Sequence, residues 1–292
     1  MSNIQFDFRQ NFETGFNSIY RFIKMGYNSN STPEIMKKLL TVVVLLMSVQ
    51  PLEAQVDRFN AQQYVNDEGD TLNYRIAFPD FSGSQSYPLL IFLHGAGERG
   101  EDNVSQLKWG VKNFVTDRWM KTYKAIVIAP QNPVGTTWSN FDGQFRQDGT
   151  PLQLGDEPSM PLKLTMEVVD QIIENYNVDT DRIYITGLSM GGFGTWDALA
   201  RWPDRFAAAL PVCGGGAPST ADRFAHIPIW VTHGADDPTV PAEMSRQMVQ
   251  AIQEAGGQPG YTEYPGVGHF AWLQTYDDEY IINWLFSQRK GD

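Results

Sequence analysis

A single cysteine, Cys213, stands in a chain of 292 residues. That excludes an internal disulfide framework and any cysteine-based zinc site. Positive charge is also scarce, since 22 Lys and Arg against 34 Asp and Glu leave a formal net charge of −12. No basic face is therefore available to release counterions from phosphates, which argues against nucleic acid as a partner and against an anionic membrane surface. The 26 Gly and 17 Pro are scattered without a repeat period, so collagen-like and solenoid architectures fall away. A membrane-spanning helix needs about 20 apolar residues, and the apolar run Leu39–Val49 has only eleven. Hydrophobic residues nevertheless make up 42% of the chain and aromatics 13%, ample material for a large core.

That run follows Lys37 and Lys38 and is broken by Pro51 before Leu52-Glu53-Ala54. Two lysines, a short apolar stretch and a small-residue end are the anatomy of a signal peptide. The expectation is a signal peptide over 36–54, a mature start near Gln55, and export to the periplasm or the medium. Upstream, Phe8, Phe12, Phe16, Ile19, Tyr20 and Ile23 recur at roughly helical spacing. This stretch, 1–35, reads either as a membrane-surface helix or, preferably, as sequence upstream of a start at Met36.

From Gln55 onward the chain alternates short apolar runs with helical patterns, the signature of βαβ units around a mostly parallel sheet with helices on both faces. One domain is expected over 55–292. The predicted strands are Leu72–Phe78, Leu89–Leu93, Ala125–Ala129, Ile183–Thr186, Ala207–Val212, Ile229–Thr232 and Tyr261–Tyr264. Leu162, Thr165, Met166, Val169, Ile172, Ile173 and Tyr176 share one helical face. A second helix is expected from Gly194 to Trp202, and a third over Met244 to Ala255, ended by Gly256-Gly257. The segment 131–161 has little periodicity and reads as a loop over a site. Open α/β sheets bind ligands at the carboxyl ends of their strands.

At one such end the strand Ile183–Thr186 runs into Gly187-Leu188-Ser189-Met190-Gly191-Gly192, with a helical pattern following. This is a G-x-S-x-G elbow in a strand-turn-helix setting. A serine on so tight a turn projects its hydroxyl outward, and the positions two before and two after it must lack side chains. The hydroxyl needs a base, and only four histidines exist. His269, in the glycine-rich Pro265-Gly266-Val267-Gly268-His269 after the last strand, is the candidate. His94 and His233 read as strand-end packing, and His226 as an exposed loop residue. The carboxylate that orients the base is Asp237, at the HGxxDxxVP position of His233-Gly234-Ala235-Asp236-Asp237; Asp236 is one residue out of phase and reads as a turn cap. Oxyanion donors are expected from the backbone N–H of Met190 and from the loop His94–Gly100, with Ala96 first and Gly97 second. Glu98 and Arg99 read as an ion pair holding that loop. Trp138 and Phe141 in the long loop, with Phe270 and Trp272 beyond the base, could line an acyl pocket or a sugar platform; Trp138 and Trp272 are the substrate contacts chosen. No metal or cofactor is called for.

At these residues the chain resembles secreted α/β-hydrolases related to feruloyl esterases, acetyl-xylan esterases and polyhydroxybutyrate depolymerases, overlapping a branch often labelled predicted peptidase. The resemblance rests on Phe92–Asn103, Ala129-Pro130-Gln131, Gly187–Trp196, Cys213–Gly216 and Tyr264–His269, and spans about Leu72 to Leu285. It implies the α/β-hydrolase fold and a serine esterase that frees ferulate or acetate from plant cell-wall polysaccharide such as xylan. Two alternatives stand beside it. A serine peptidase of the prolyl-oligopeptidase-like type meets a chain with no room for a gating propeller and no acidic pair to grip a peptide amino terminus. A non-catalytic carbohydrate-binding relative meets an intact set of triad residues.

Overall fold

The computed structural model describes residues 55–81, 83–142 and 150–291. The expected signal peptide and the upstream helical stripe lie outside the described residues. The unit Ala54–Asp292 is built on an eight-stranded sheet. Its strands are β1 (Asn60–Val65), β2 (Thr71–Ala77), β3 (Tyr87–Leu93), β4 (Ile126–Pro130), β7 (Val178–Leu188), β8 (Ala208–Val212), β9 (Trp230–Gly234) and β10 (Gly260–Tyr264). A two-stranded ribbon of β5 (Phe141–Asp142) and β6 (Gln153–Leu154) stands apart, within the long loop. The sheet order is β1-β2-β4-β3-β7-β8-β9-β10. β1 and β2 run antiparallel to their neighbours, and every pairing from β4 to β10 is parallel. Among the described residues, no helix is long and apolar enough to cross a membrane.

Both faces of the sheet are covered, and β3 shows how sequence produces that. Its seven residues, Tyr-Pro-Leu-Leu-Ile-Phe-Leu, are all buried. A parallel strand between two helical layers has no solvent face, so it reads as a continuous apolar run. Leu89, Ile91 and Leu93 point into one core with α2 (Met160–Asn175), α3 (Met190–Arg201) and α4 (Glu243–Glu254). Leu90 and Phe92 point into the other with α1 (Asp117–Tyr123), α5 (Trp272–Asp277) and α6 (Glu279–Ser287). Each fully buried side chain of this size stabilises the fold by about 1.5–3 kcal/mol.

Departures from the sequence reading have local causes. β7 begins at Val178 instead of Ile183, because its half-exposed opening, Val178-Asp179-Thr180-Asp181-Arg182, is polar and held by an Arg182–Asp179 ion pair at 2.8 Å. β1 is an edge strand of mostly exposed residues, Asn-Ala-Gln-Gln-Tyr-Val, with no apolar alternation to announce it. α1 is short and buries only Met120; its N-terminus is marked by Thr116, whose side chain accepts from the Trp119 N–H. α3 starts at Met190, not Gly194, because Gly191, Gly192 and Gly194 mask its helical pattern.

Those glycines are steric necessities. A Cβ at Gly191 would lie 1.9 Å from the Leu93 carbonyl oxygen, and one at Gly187 would lie 2.4 Å from that of Gly191. The end of β3, the end of β7 and the start of α3 meet there backbone to backbone. A Gly191→Ala variant is expected to lose at least about 4 kcal/mol of stability, or about 8 °C or more of melting temperature. Calorimetry beside the wild type checks this, and a shift under about 2 °C would refute the close-approach argument.

Candidate active site

Ser189 joins β7 to α3 with φ +55° and ψ −118°, a backbone conformation costly for a residue with a Cβ. Its N–H donates to the Val212 carbonyl at 2.9 Å and its carbonyl accepts from Phe193 at 3.1 Å, so sheet and helix hold the turn from both sides. The hydroxyl projects at the carboxyl edge of the sheet. His269 reaches it from the loop after β10, its Nε2 2.8 Å from Ser189 Oγ. On the far side of the ring, His269 Nδ1 is 2.6 Å from Asp237 Oδ2. The structure thus brings together the three side chains that the sequence reading selected, from loops after three strands. Asp236 is exposed and points elsewhere; its backbone N–H donates to the Val267 carbonyl at 3.0 Å, tying the acid loop to the histidine loop.

Asp237 is gripped on both oxygens. Its Oδ1 accepts from the N–H groups of Thr239 and Val240 at 2.8 and 2.9 Å. Burial alone would raise this carboxyl, but hydrogen bonds from His233, His269, Val240 and Thr239 outweigh it and hold it well below the usual carboxylate range. An ionised Asp237 fixes the Nδ1–H tautomer of His269, which leaves Nε2 free to accept the serine proton.

The start of α3 and the loop after β3 both lie beside the serine. Met190 is the first residue of α3, so its N–H has no acceptor within the helix, and the helix dipole points at charge forming there. Ala96 opens a short 3₁₀ turn, Ala96–Glu98, in the loop after β3. The loop lies against the nucleophile, since a Cβ at Gly95 would be 3.6 Å from Ser189 Cβ. Ala96 and Gly97 are both exposed in this loop.

The loop is anchored chiefly by His94. Its Nδ1–H donates to the Gly95 carbonyl at 2.6 Å and its Nε2 accepts from the Asn132 N–H at 2.9 Å. The His94 carbonyl accepts from Trp138 Nε1 at 2.9 Å, and the Trp138 ring meets the imidazole edge-on. Glu98 also holds the loop, though not through Arg99. Burial raises its carboxyl, with Lys108 and hydrogen bonds from Gly95 and Trp109 opposing. Arg99 instead turns its Nε to Met190 Sδ at 3.2 Å.

The expected substrate contacts need correcting. Trp138 is 0% exposed and Trp272 4%, so neither presents a face to a ligand: Trp138 braces His94, and Trp272 packs edge-on against His269. Phe141 is buried in the core. Phe270, beside His269 in the chain and 52% exposed, instead meets the half-buried Trp109 ring at 6.0 Å. Trp109 lies in a stretch of mixed polarity, and only its bond to Glu98 in the folded chain reveals its position. Cys213, His233 and Asp237 bring ligand-type atoms within 4.8 Å of one another. As a metal-binding set they fit poorly. Burial pushes the Cys213 thiol up to about 12, and the His233 nitrogens and Asp237 oxygens already have hydrogen-bond partners.

Residues 81–279 match the sequence profile of a family described as phospholipase/carboxylesterase. The chain belongs to this family. Carboxylesterase SOBER1 of Arabidopsis thaliana is 26% identical over 219 residues, covering 69% of this chain and 91% of its own length. The bifunctional acetylxylan esterase/xylanase XynS20E of Neocallimastix patriciarum is 27% identical over 150 residues, 51% of this chain but only 19% of that protein. Among solved structures, a thermostable esterase superposes with a TM-score of 0.75 at 40% identity over 81% of this chain and 64% of its own. The phospholipase/carboxylesterase family and this likeness identify the sheet as that of an α/β-hydrolase.

The buried His94 carries a pH prediction. Burial holds its pKa down from 6.5 to about 4, and a second ring proton would confront the Asn132 N–H. Because the folded value is the lower one, the unfolded chain takes up the proton first as pH falls. Stability present above pH 6.5 is therefore lost between about 6.5 and 4, by about 3 kcal/mol. Of the carboxyls held low, Asp237, Asp102 and Asp179 start from an ordinary value of 3.8 and lose most of their share below this window, while Glu263 starts from 4.5 and begins to lose its share inside it. Denaturant titrations at pH 7 and 4.5 should show this fall in the wild type and a shallower one in His94→Asn; equal slopes would refute it.

Proposed function

We propose that the chain is a serine carboxylic-ester hydrolase working through an acyl-enzyme. The observation that carries this reading is the continuous hydrogen-bonded path Ser189–His269–Asp237, at 2.8 and 2.6 Å, on a strained elbow. Ser189 Oγ attacks the ester carbonyl carbon while its proton passes to His269 Nε2. The carbonyl oxygen takes the negative charge and faces the N–H groups of Met190 and Ala96. Loss of one such donor costs about 2.7–4 kcal/mol in comparable enzymes. When the tetrahedral species collapses, the bond to the alcohol breaks and His269 returns the proton to the departing oxygen. Water, deprotonated by the same nitrogen, then attacks the acyl carbon and frees the acid with Ser189 restored. Asp237 stabilises the imidazolium in both halves.

For the natural substrate, we propose feruloyl or acetyl esters on plant cell-wall polysaccharide, hydrolysed outside the cytoplasm after removal of 36–54. Three features support this. A relative named for acetylxylan esterase and xylanase matches half of this chain. Next to His269 lies the aromatic pair Trp109 and Phe270, suited to stacking on a phenolic acyl group or a sugar ring. The basic and apolar segment before Gln55 has the form of an export signal.

Ser189→Ala should lower kcat on p-nitrophenyl acetate by about a million-fold, and a fluorophosphonate should label the wild type only. A loss under tenfold in purified protein would dismiss the nucleophile. Methyl ferulate and acetylated or feruloylated arabinoxylan, followed by liquid chromatography, should yield acid at rates far above those on a proline-containing aminoacyl anilide; the reverse ranking would favour a peptidase.

A further inference from the structure

A second histidine touches the carboxylate of Asp237. His233 sits near the end of β9, fully buried. Its Nε2 faces two oxygens, the Val240 carbonyl at 2.9 Å and Asp237 Oδ2 at 3.2 Å. Both can only accept, so Nε2 must carry a hydrogen. The other ring nitrogen, Nδ1, is 2.7 Å from Ser245 Oγ, which in turn lies 3.1 Å from the Gly214 carbonyl. Ser245 can donate to Nδ1 when the ring is neutral, or turn to Gly214 and accept from Nδ1–H when the ring is charged. Either way Nε2–H remains aimed at Asp237.

The same oxygen, Oδ2, therefore receives both His269 Nδ1–H and His233 Nε2–H, while Oδ1 takes the two backbone N–H groups. Filling a strand end would need no imidazole, and a leucine would cost less to bury there. Other ionisable groups near His233 do not compete for the ring. Cys213 is held as a neutral thiol by burial. Glu263, opposite His233 in the β9–β10 register, is taken up by Arg246 at 2.6 Å and by Tyr261 at 2.5 Å.

We propose that His233 is a positioning residue for catalysis, its Nε2–H holding the Asp237 carboxylate in the orientation that His269 requires, with Ser245 preserving that donor in either state of the ring. The inference rests on the esterase reading. His233 touches neither the nucleophile nor the ester, so it acts on turnover through Asp237 and leaves substrate binding alone. Without it, Asp237 loses a donor that offsets its charge, and the full charge bears on the His269 imidazolium. The acid limb of the pH–rate profile then moves to higher pH.

The test is a double-mutant cycle read on p-nitrophenyl acetate, with melting temperatures recorded for every variant. His233→Phe should lower kcat about 10- to 100-fold, leave KM within about twofold, and shift the acid limb of kcat/KM upward. His233→Gln, whose amide can place an N–H where Nε2 was, should recover to within about fivefold. In an Asp237→Asn background the further effect of His233→Phe should shrink below about twofold, because a residue acting through Asp237 has nothing left to hold. Equal losses in both backgrounds, or no recovery in the glutamine variant, overturn the proposal. Should His233→Phe fail to fold, His233→Asn, whose shorter amide reaches Ser245 but not Asp237, takes its place in the same cycle. An enzyme still active as Ser189→Ala would sink the esterase reading itself. Fluorophosphonate labelling at Ser189 without coupling between 233 and 237 would sink only this one.

Discussion

The approach of three backbones beneath Ser189 is the constraint on which the rest of the site depends. β3, β7 and α3 come so close that residues 187 and 191 can carry no side chain, and the serine between them is forced to positive φ. A conformation costing of order 1–3 kcal/mol persists only where the surroundings over-determine it. Here they do: Val212 takes the serine N–H, Phe193 donates to its carbonyl, and the cores on both faces of the sheet clamp the strands. The hydroxyl and the first N–H of α3 are thereby held side by side at the carboxyl edge of the sheet.

Around this point the partners arrive on loops, each tied down by polar contacts as well as by packing. The loop after β3 is held by His94, Asn132, Trp138 and Glu98. The acid loop is fastened to the histidine loop by main-chain bonds, Asp236 N–H to Val267 and Ala235 N–H to Tyr264. A Cβ at Gly234 would lie 2.1 Å from the Gly268 carbonyl, so these loops too meet backbone to backbone. Asp237 and His269 are therefore tied together by main chain as well as by their own side-chain hydrogen bond. Preorganisation of this kind lets dipoles stabilise developing charge without reorganising during the reaction.

The triad residues and the sheet were legible in the sequence because both obey local rules. Buried parallel strands read as apolar runs, and the elbow needs its glycines at fixed offsets from Ser189. What was hidden depended on partners distant in the chain. β1 pairs as a polar edge, so no periodicity marks it. Trp138 and Trp272 looked like ligand surfaces because a tryptophan near a site reads the same whether its ring faces a substrate or a neighbouring histidine. Trp109 carries no sequence signal because its place is set by Glu98, eleven positions away, and by Phe270 across the fold. His233 was read as strand-end packing since its carboxylate contact exists only once the turn 234–240 folds back over the ring.

The sheet order also bears on when the molecule becomes competent during its synthesis. Ser189 and its elbow belong to the central strands β3, β7 and β8, whereas His269 rides on the loop after β10, an edge strand and the last of the sheet to be made. A nascent chain can close its middle early and still lack a group able to take a proton from the serine. The pairing of His269 with Ser189 therefore waits on the docking of that outer strand.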